Sequence, residues 1–451
     1  MLRIPKSRAG ILKKHKFLLV LLAFGLVLRL MLSVQIYSGD VNNHVAWGRD
    51  SLDLGFPGIN QREFMERYGA LTPTYPPIPL FLFTISHGLY DWVYSTSWDL
   101  NLAIRLFPSN FIFFLEDQDT LPAFTKIWAI FADLGIAVVI YLFAKKLVKQ
   151  RDSKWPLVTA SFVLFNPAFF YNSAYWGQIE ALPLFFVLVS FYLLLYFEET
   201  ENYYPKRYIA VAILFTAAIL IKQTSIVFIP LFALTYLSKF GIQKSMKGLL
   251  ASLGAFWLAF LPFYKGSGLD RFLFPFLTYW NKIQTGSGSD YVTDHAFNFW
   301  ALVSGLGKIP DSTPYLFGMP YRLWGYTIFF ALTAVILYKL YKVNFDNLLV
   351  LFAATLIPFA AFLFLTRMHG RYLEQALPFL LLISVKNKKF LAIFVVISLF
   401  HFANLHHNWW APRVKFVVDT LSQMSTINII IAITLVAFSY LSVKYLMGTK
   451  S

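Results

Sequence analysis

Gly39-Asp40 follows directly on a hydrophobic run, about Phe17 to Ile36, and puts a carboxylate where such a run would leave a membrane. A carboxylate there can act as a general base, taking a proton from an acceptor hydroxyl, a role worth about 10²- to 10⁴-fold in rate. An ordinary helix cap or turn aspartate, common beside glycine, is the other reading. A second polar group lies late in the chain, along Arg367-Met368-His369-Gly370-Arg371 between two apolar runs. Arg367, His369 and Arg371, with Lys222, make a candidate phosphate site, since guanidinium forks grip phosphate oxygens in pairs and keep their charge at low dielectric. Cations at helix ends that reach for lipid headgroups give a similar pattern, so both readings stand. Tyr75, Gln178, Glu180 and Gln223 lie in neighbouring polar junctions and are candidates to hydrogen-bond a ligand's hydroxyl groups.

These groups need a scaffold, and the composition describes a membrane one. At 58% hydrophobic and 14% charged, 451 residues carry too little polar surface for a soluble domain. A crossing needs about 20 mostly apolar residues, and about twelve such runs are read. They fall near 18–35, 123–144, 156–174, 178–197, 207–221, 223–238, 246–264, 322–341, 347–365, 371–385, 390–405 and 427–446. The expected fold is all-α and polytopic, one integral-membrane unit over 1–451 with long outer loops at about 37–122 and 265–321. The first loop should carry interfacial helices: Tyr75 to Tyr94 is apolar, and is expected in the interface or as a hairpin with Leu102 to Leu115.

Basic clusters at Arg3 to Lys16, Lys145 to Lys154, Lys206-Arg207, Lys239 to Lys247, Lys339/Lys342 and Lys386 to Lys389 share one side under this parity. Both termini are then cytoplasmic and the polar junctions extracytoplasmic. The net charge of +16 is a topology signal on this reading and calls for no nucleic acid. Arg29 and Asp133 fall inside spans, where charge is costly, and are expected to pair within the bundle. The chain has no cysteine, which excludes thiol chemistry and thiolate metal sites. Asp117-Gln118-Asp119 reads as a solvated acidic turn and His406-His407 as part of an interfacial anchor, and neither metal nor cofactor is expected.

Several short motifs then carry a resemblance: Gly39-Asp40, Tyr75-Pro76-Pro77, Lys126 to Asp133, Asn166-Pro167 leading to Trp176-Gly177-Gln178, Lys222-Gln223, Phe297-Asn298-Phe299-Trp300, and Arg367 to Pro378. In that order they resemble the GT-C superfamily of integral-membrane glycosyltransferases. The similarity is greatest to the polyprenyl- or dolichyl-phosphate-glucose glucosyltransferases of asparagine-linked glycan assembly and their prokaryotic relatives, with the GPI mannosyltransferases next. The resemblance implies an inverting transfer of a hexose, glucosyl or mannosyl, from a polyprenyl-phosphate donor to a hydroxyl of a glycan, lipid or protein. It implies a cell membrane or endoplasmic reticulum membrane, with the site extracytoplasmic. Asp40 matches the family's catalytic base and His369 its late-motif histidine, although relatives often carry an acidic residue where Gly370 stands here. The competing reading is a lipid-linked sugar flippase or transporter, a class that also uses twelve spans but tends to paired halves and broken helices near the midplane.

Overall fold

The computed structural model describes residues 8–148, 150, 153–196, 206–286 and 289–448. Arg3, Lys6, Lys149 and Arg151 of the basic clusters lie outside the described residues. Apolar stretches this long become helices because a helix satisfies its own backbone groups where water is absent. The first is α1 (Arg8–Ser33), and the face on which it ends is called the upper face below. The first long loop is itself helical, with α2 (Gly39–Leu54), α3 (Phe64–Tyr68), α4 (Pro77–Ala103) and α5 (Ser109–Glu116). Pro77 opens α4 where a missing N–H costs nothing. α5 turns back on α4, with Tyr90 Oη donating to Leu115 O at 2.7 Å and Tyr94 Oη to Glu116 at 2.9 Å. The apolar stretch from Tyr75 thus continues as one helix to Ala103, with the short α5 packed back against it.

The chain continues through α6 (Thr120–Leu147), α7 (Trp155–Leu164), α8 (Pro167–Phe170), α9 (Ala181–Tyr196), α10 (Arg207–Ile221) and α11 (Ile229–Phe260), which bends at Gly241. The second long connection holds α12 (Phe274–Thr285) and α13 (Phe299–Ser304), and then come α14 (Tyr321–Lys342), α15 (Asn347–Phe364), α16 (Leu377–Ser384), α17 (Lys388–Trp409), α18 (Lys415–Leu421) and α19 (Met424–Met447). Several of the expected runs are not continuous α-helix: 223–238 opens as a 3-10 turn, Gln223–Phe228, before α11. Pro167 forces Asn166 into extended backbone, ending α7, and a π-helical turn, Tyr171–Trp176, follows α8. The run 371–385 opens as a 3-10 turn, Gly370–Ala376, before α16. Seven helices among the described residues have the length and apolarity to cross a membrane, so the chain is built as an integral membrane protein. α9 and α10 are apolar but shorter, at 16 and 15 residues.

α15 and α16 are the centre. Every residue from Val350 to Leu363, and all of α16, is buried, as a helix apolar on all sides requires. α1, α11, α14 and α19 leave large apolar side chains such as Phe24, Leu258, Phe330 and Val436 exposed, where lipid would cover them. Two internal cations brace the bundle beneath the upper face. Arg29 pairs with Asp133 as expected, Nε to Oδ2 at 2.9 Å with both side chains 0% exposed. Arg29 also donates to Leu164 O at 2.8 Å, and Asp133 accepts from Ser173 Oγ, so the pair joins α1, α6, the end of α7 and the π-turn. Lys126 donates to Ser33 O at 2.9 Å, to Ile36 O, and to Tyr175 O at 3.1 Å, satisfying carbonyls that the end of α1 leaves open.

Candidate active site

Ser38 caps α2, accepting from Val41 N at 3.3 Å and donating its hydroxyl to Trp176 O at 3.0 Å. The start of α2 is thereby tied to the π-turn. Asp40 lies in the first turn of α2, where the helix dipole favours a negative charge, and its carboxylate accepts from Gln178 Nε2 at 2.5 Å. Gly177 makes that approach feasible. It sits at φ +86, and a Cβ there would stand 2.2 Å from Val41 Cγ2 and 3.0 Å from Lys126 Cε. Burial would raise the Asp40 carboxyl, but the Arg371 charge, the Gln178 hydrogen bond and Lys222 hold it below its ordinary range.

Beside Asp40 lies an ion cluster closed to solvent. Glu180 Oε1 pairs with both Lys222 Nζ and Arg371 Nε, the latter at 2.9 Å. Lys222 lies over the rings of Tyr75 at 5.1 Å and Tyr372 at 5.7 Å, and Arg371 over Trp176 at 5.8 Å and Tyr372 at 5.7 Å. Lys222, Glu180, Gln178 and Tyr75 are all buried. Glu180 is therefore first a counter-ion, which lets two cations share one small volume. Its Oε2 and the Gln178 Oε1 are buried with no partner. The cluster thus keeps acceptors in reserve for a polar ligand.

The other late-motif residues go elsewhere. Arg367 adopts φ +61 and forks onto Asp311, at 2.8 and 3.0 Å, with a third bond to Gln284 O at 3.1 Å. It anchors the second long connection and does not join the Asp40 cluster. His369 stands 3.3 Å from Asp294, itself bonded to Ser289, and sets its ring edge-on to Tyr372 at 5.3 Å. His369 is therefore one ring away from Arg371. Gln223 also turns from the cluster, donating to Lys282 O at 3.3 Å. Gly370 leaves no room for the acidic side chain that the resembling family often has, since a Cβ would meet Asn404 Cγ at 2.7 Å.

Three further groups belong to the site and were absent from the sequence reading of it. His44, one turn after Asp40, is buried, and that burial pushes its imidazole down to about 3. The signal was present as an i, i+4 spacing, but only a helix, and not the expected loop, turns that spacing into a shared face. Glu374 accepts from Asn172 Nδ2, while Asn172 O accepts from Gln178 N at 2.9 Å, so the Arg371 turn and the Gln178 turn are held in register. Lys282 of α12, 5% exposed, donates to Pro73 O at 2.8 Å and Asn60 Oδ1 at 3.2 Å, fixing the segment that leads to Tyr75. Burial lowers its ammonium to about 7.

No protein-family model matches the chain, and no curated protein sequence does. In structure it is similar to ArnT from Cupriavidus metallidurans, solved bound to undecaprenyl phosphate, with a TM-score of 0.50 at 12% identity over 96% of this chain and 78% of that one. At that identity the likeness speaks to the fold alone, an all-helical membrane architecture shared over most of this chain.

Proposed function

We propose that the protein is an inverting glycosyltransferase that moves a hexose from a polyprenyl-phosphate donor to a hydroxyl of a glycan, lipid or protein on the extracytoplasmic face. The observation that carries the reading is the meeting of Asp40 with two buried cations, Lys222 and Arg371, around one counter-ion. The structural similarity to a protein solved with undecaprenyl phosphate supports the donor class. Sidedness is supported by the basic residues in the last turns of α6 and α14, at the helix ends remote from Asp40.

In this mechanism Asp40, kept ionised by its cationic surroundings, takes the proton of the acceptor hydroxyl as that oxygen bonds to the anomeric carbon. The bond from that carbon to the phosphate oxygen breaks, and its electron pair leaves with the polyprenyl phosphate. Arg371 Nη groups and Lys222 meet the charge that grows on the phosphate, a preorganised arrangement that needs little movement during the reaction. One displacement inverts the anomeric centre and needs no covalent enzyme intermediate. Gln178 orients Asp40 and offers its free Oε1 to a sugar hydroxyl, as Glu180 offers Oε2, with Tyr75 as the wall beneath Lys222. His369 lies at the rim of the phosphate site through Tyr372, whereas Arg367 and Gln223 act by holding the second connection in place.

Purified protein in detergent, given radiolabelled undecaprenyl-phosphate glucose or undecaprenyl-phosphate mannose with a membrane-lipid extract as acceptor, should move label from one donor into the extract with inverted configuration. Turnover of neither donor would contradict the reading.

A further inference from the structure

Asp40 and His44 stand one turn apart on α2 and project from the same face. The His44 ring is stacked on Phe83, with centroids 4.4 Å apart and planes at 13°, and flanked by Tyr75 at 5.5 Å and Trp47 at 5.7 Å. Three aromatic neighbours hold it in one orientation. His44 is 1% exposed, yet its Nε2 meets no hydrogen-bond partner. A buried polar atom in that condition is destabilising until a ligand or water satisfies it. Tyr75 also carries Lys222 on its ring at 5.1 Å, so one aromatic side chain joins His44 to the cation cluster. Burial pushes the imidazole down to about 3, so near neutral pH it presents one N–H and one lone pair.

We infer that His44 determines donor specificity, its Nε2 forming a hydrogen bond with a hydroxyl of the transferred sugar ring. The inference rests on the glycosyl-transfer reading above. A sugar whose anomeric carbon lies between the phosphate at Lys222 and Arg371 and the acceptor oxygen at Asp40 passes close to His44, which is one turn from Asp40 and one ring from Lys222. A proton is the less suitable occupant, because the burial that pushes the imidazole down to about 3 makes it a weak proton acceptor at neutral pH. A site that hydrogen-bonds a substrate hydroxyl rejects a ligand lacking it far more strongly than a site that only measures size. Fixed by three rings, His44 is suited to that kind of discrimination.

The test is a binding titration of the purified full-length protein with three probes: undecaprenyl phosphate, undecaprenyl-phosphate glucose and undecaprenyl-phosphate mannose. Wild type, His44→Phe and His44→Gln are compared. The Phe variant should bind undecaprenyl phosphate as wild type does and lose roughly 10-fold or more in affinity for the hexose donor that wild type prefers. The Gln variant, which keeps a hydrogen-bonding group, should recover part of that loss. A merely structural role would weaken all three probes together, and that result would overturn the inference. If His44→Phe fails to fold, the Gln variant carries the test through a changed glucose-to-mannose preference, and an unchanged preference overturns the inference. Unaltered hexose discrimination in both variants, with transfer still dependent on Asp40, would remove the role from His44 alone. A wild type that gains nothing from either hexose over bare undecaprenyl phosphate would instead bring down the hexose-transfer reading, and this inference with it.

Discussion

Asp133→Ala would leave the Arg29 guanidinium charged at 0% exposure in the middle of the bundle. Removing one partner of a buried pair costs about 3–5 kcal/mol, because the other charge stays buried and unmatched. Loss of the Ser173 hydrogen bond adds roughly 1 kcal/mol. Exchanging the two charges should not repair the damage. Arg29 donates to the carbonyls of Leu164 at 2.8 Å and Gly25 at 3.2 Å, and an aspartate at position 29 would face those oxygens with another acceptor. The double change Arg29→Met with Asp133→Leu removes both charges, and should retain all but about 1–3 kcal/mol for the carbonyls left open at the end of α7. The expected order of stability is therefore wild type, then the apolar pair, then the single variant level with the exchanged pair. Thermal unfolding in detergent, followed by monodispersity after heating, reads this order. At about 2 °C or less per kcal/mol for a chain of this size, the single variant should fall by roughly 5–10 °C. An exchanged pair that unfolds with wild type would refute the reasoning, since it would make the contact a symmetric attraction in which the carbonyls have no part.

Gly177→Ala should lose both stability and transfer. The left-handed backbone costs about 1–2 kcal/mol for a residue with a Cβ, and overpacking against Val41 and Lys126 about 1–3 kcal/mol more; a variant with wild-type midpoint and rate would contradict the packing. Lys282 predicts a pH effect of defined sign. Its folded pKa of about 7 lies below the ordinary lysine value, so above pH 7 the unfolded chain holds a proton that the folded chain has lost, and stability rises with pH through that window. The rise is at most ~1.4 kcal/mol per pH unit, and unfolding midpoints of wild type and Lys282→Met should diverge in the wild type's favour between pH 7 and 9; parallel curves would oppose it. Arg367→Ala should lower the midpoint while donor affinity stays near wild type, because the side chain is bonded to Asp311 and Gln284, and a selective loss of donor binding would return it to the phosphate site.

Some of this architecture is visible in local sequence and some is not. Runs of apolar residues mark helices wherever they occur, and two charges inside such runs, Arg29 and Asp133, have few partners other than each other. Convergence of Asp40, Gln178, Glu180, Lys222 and Arg371 follows from short junctions that all open on one face, which parity alone can count. Arg367 illustrates the limit. Its spacing matches that of Arg371, but its partner Asp311 lies in a long connection whose path no periodicity reports, and a positive φ turns the side chain toward it. Glu180 likewise reads as one more polar side chain until two cations are found on the same oxygen. The stretch from Gly39 to Leu54 has too few apolar residues to stand out as a helix, and so His44 stayed hidden behind its own spacing.

The most direct test of the central claim is the turnover of the preferred undecaprenyl-phosphate hexose by Asp40→Asn, measured beside its affinity for the same donor. Asparagine keeps the size of the side chain and can still hydrogen-bond Gln178, but it cannot take a proton. The account predicts an unfolding midpoint and donor affinity close to wild type, with transfer reduced by about 10²-fold or more. Transfer at a near-normal rate would show that another group is the base and that Asp40 only caps its helix.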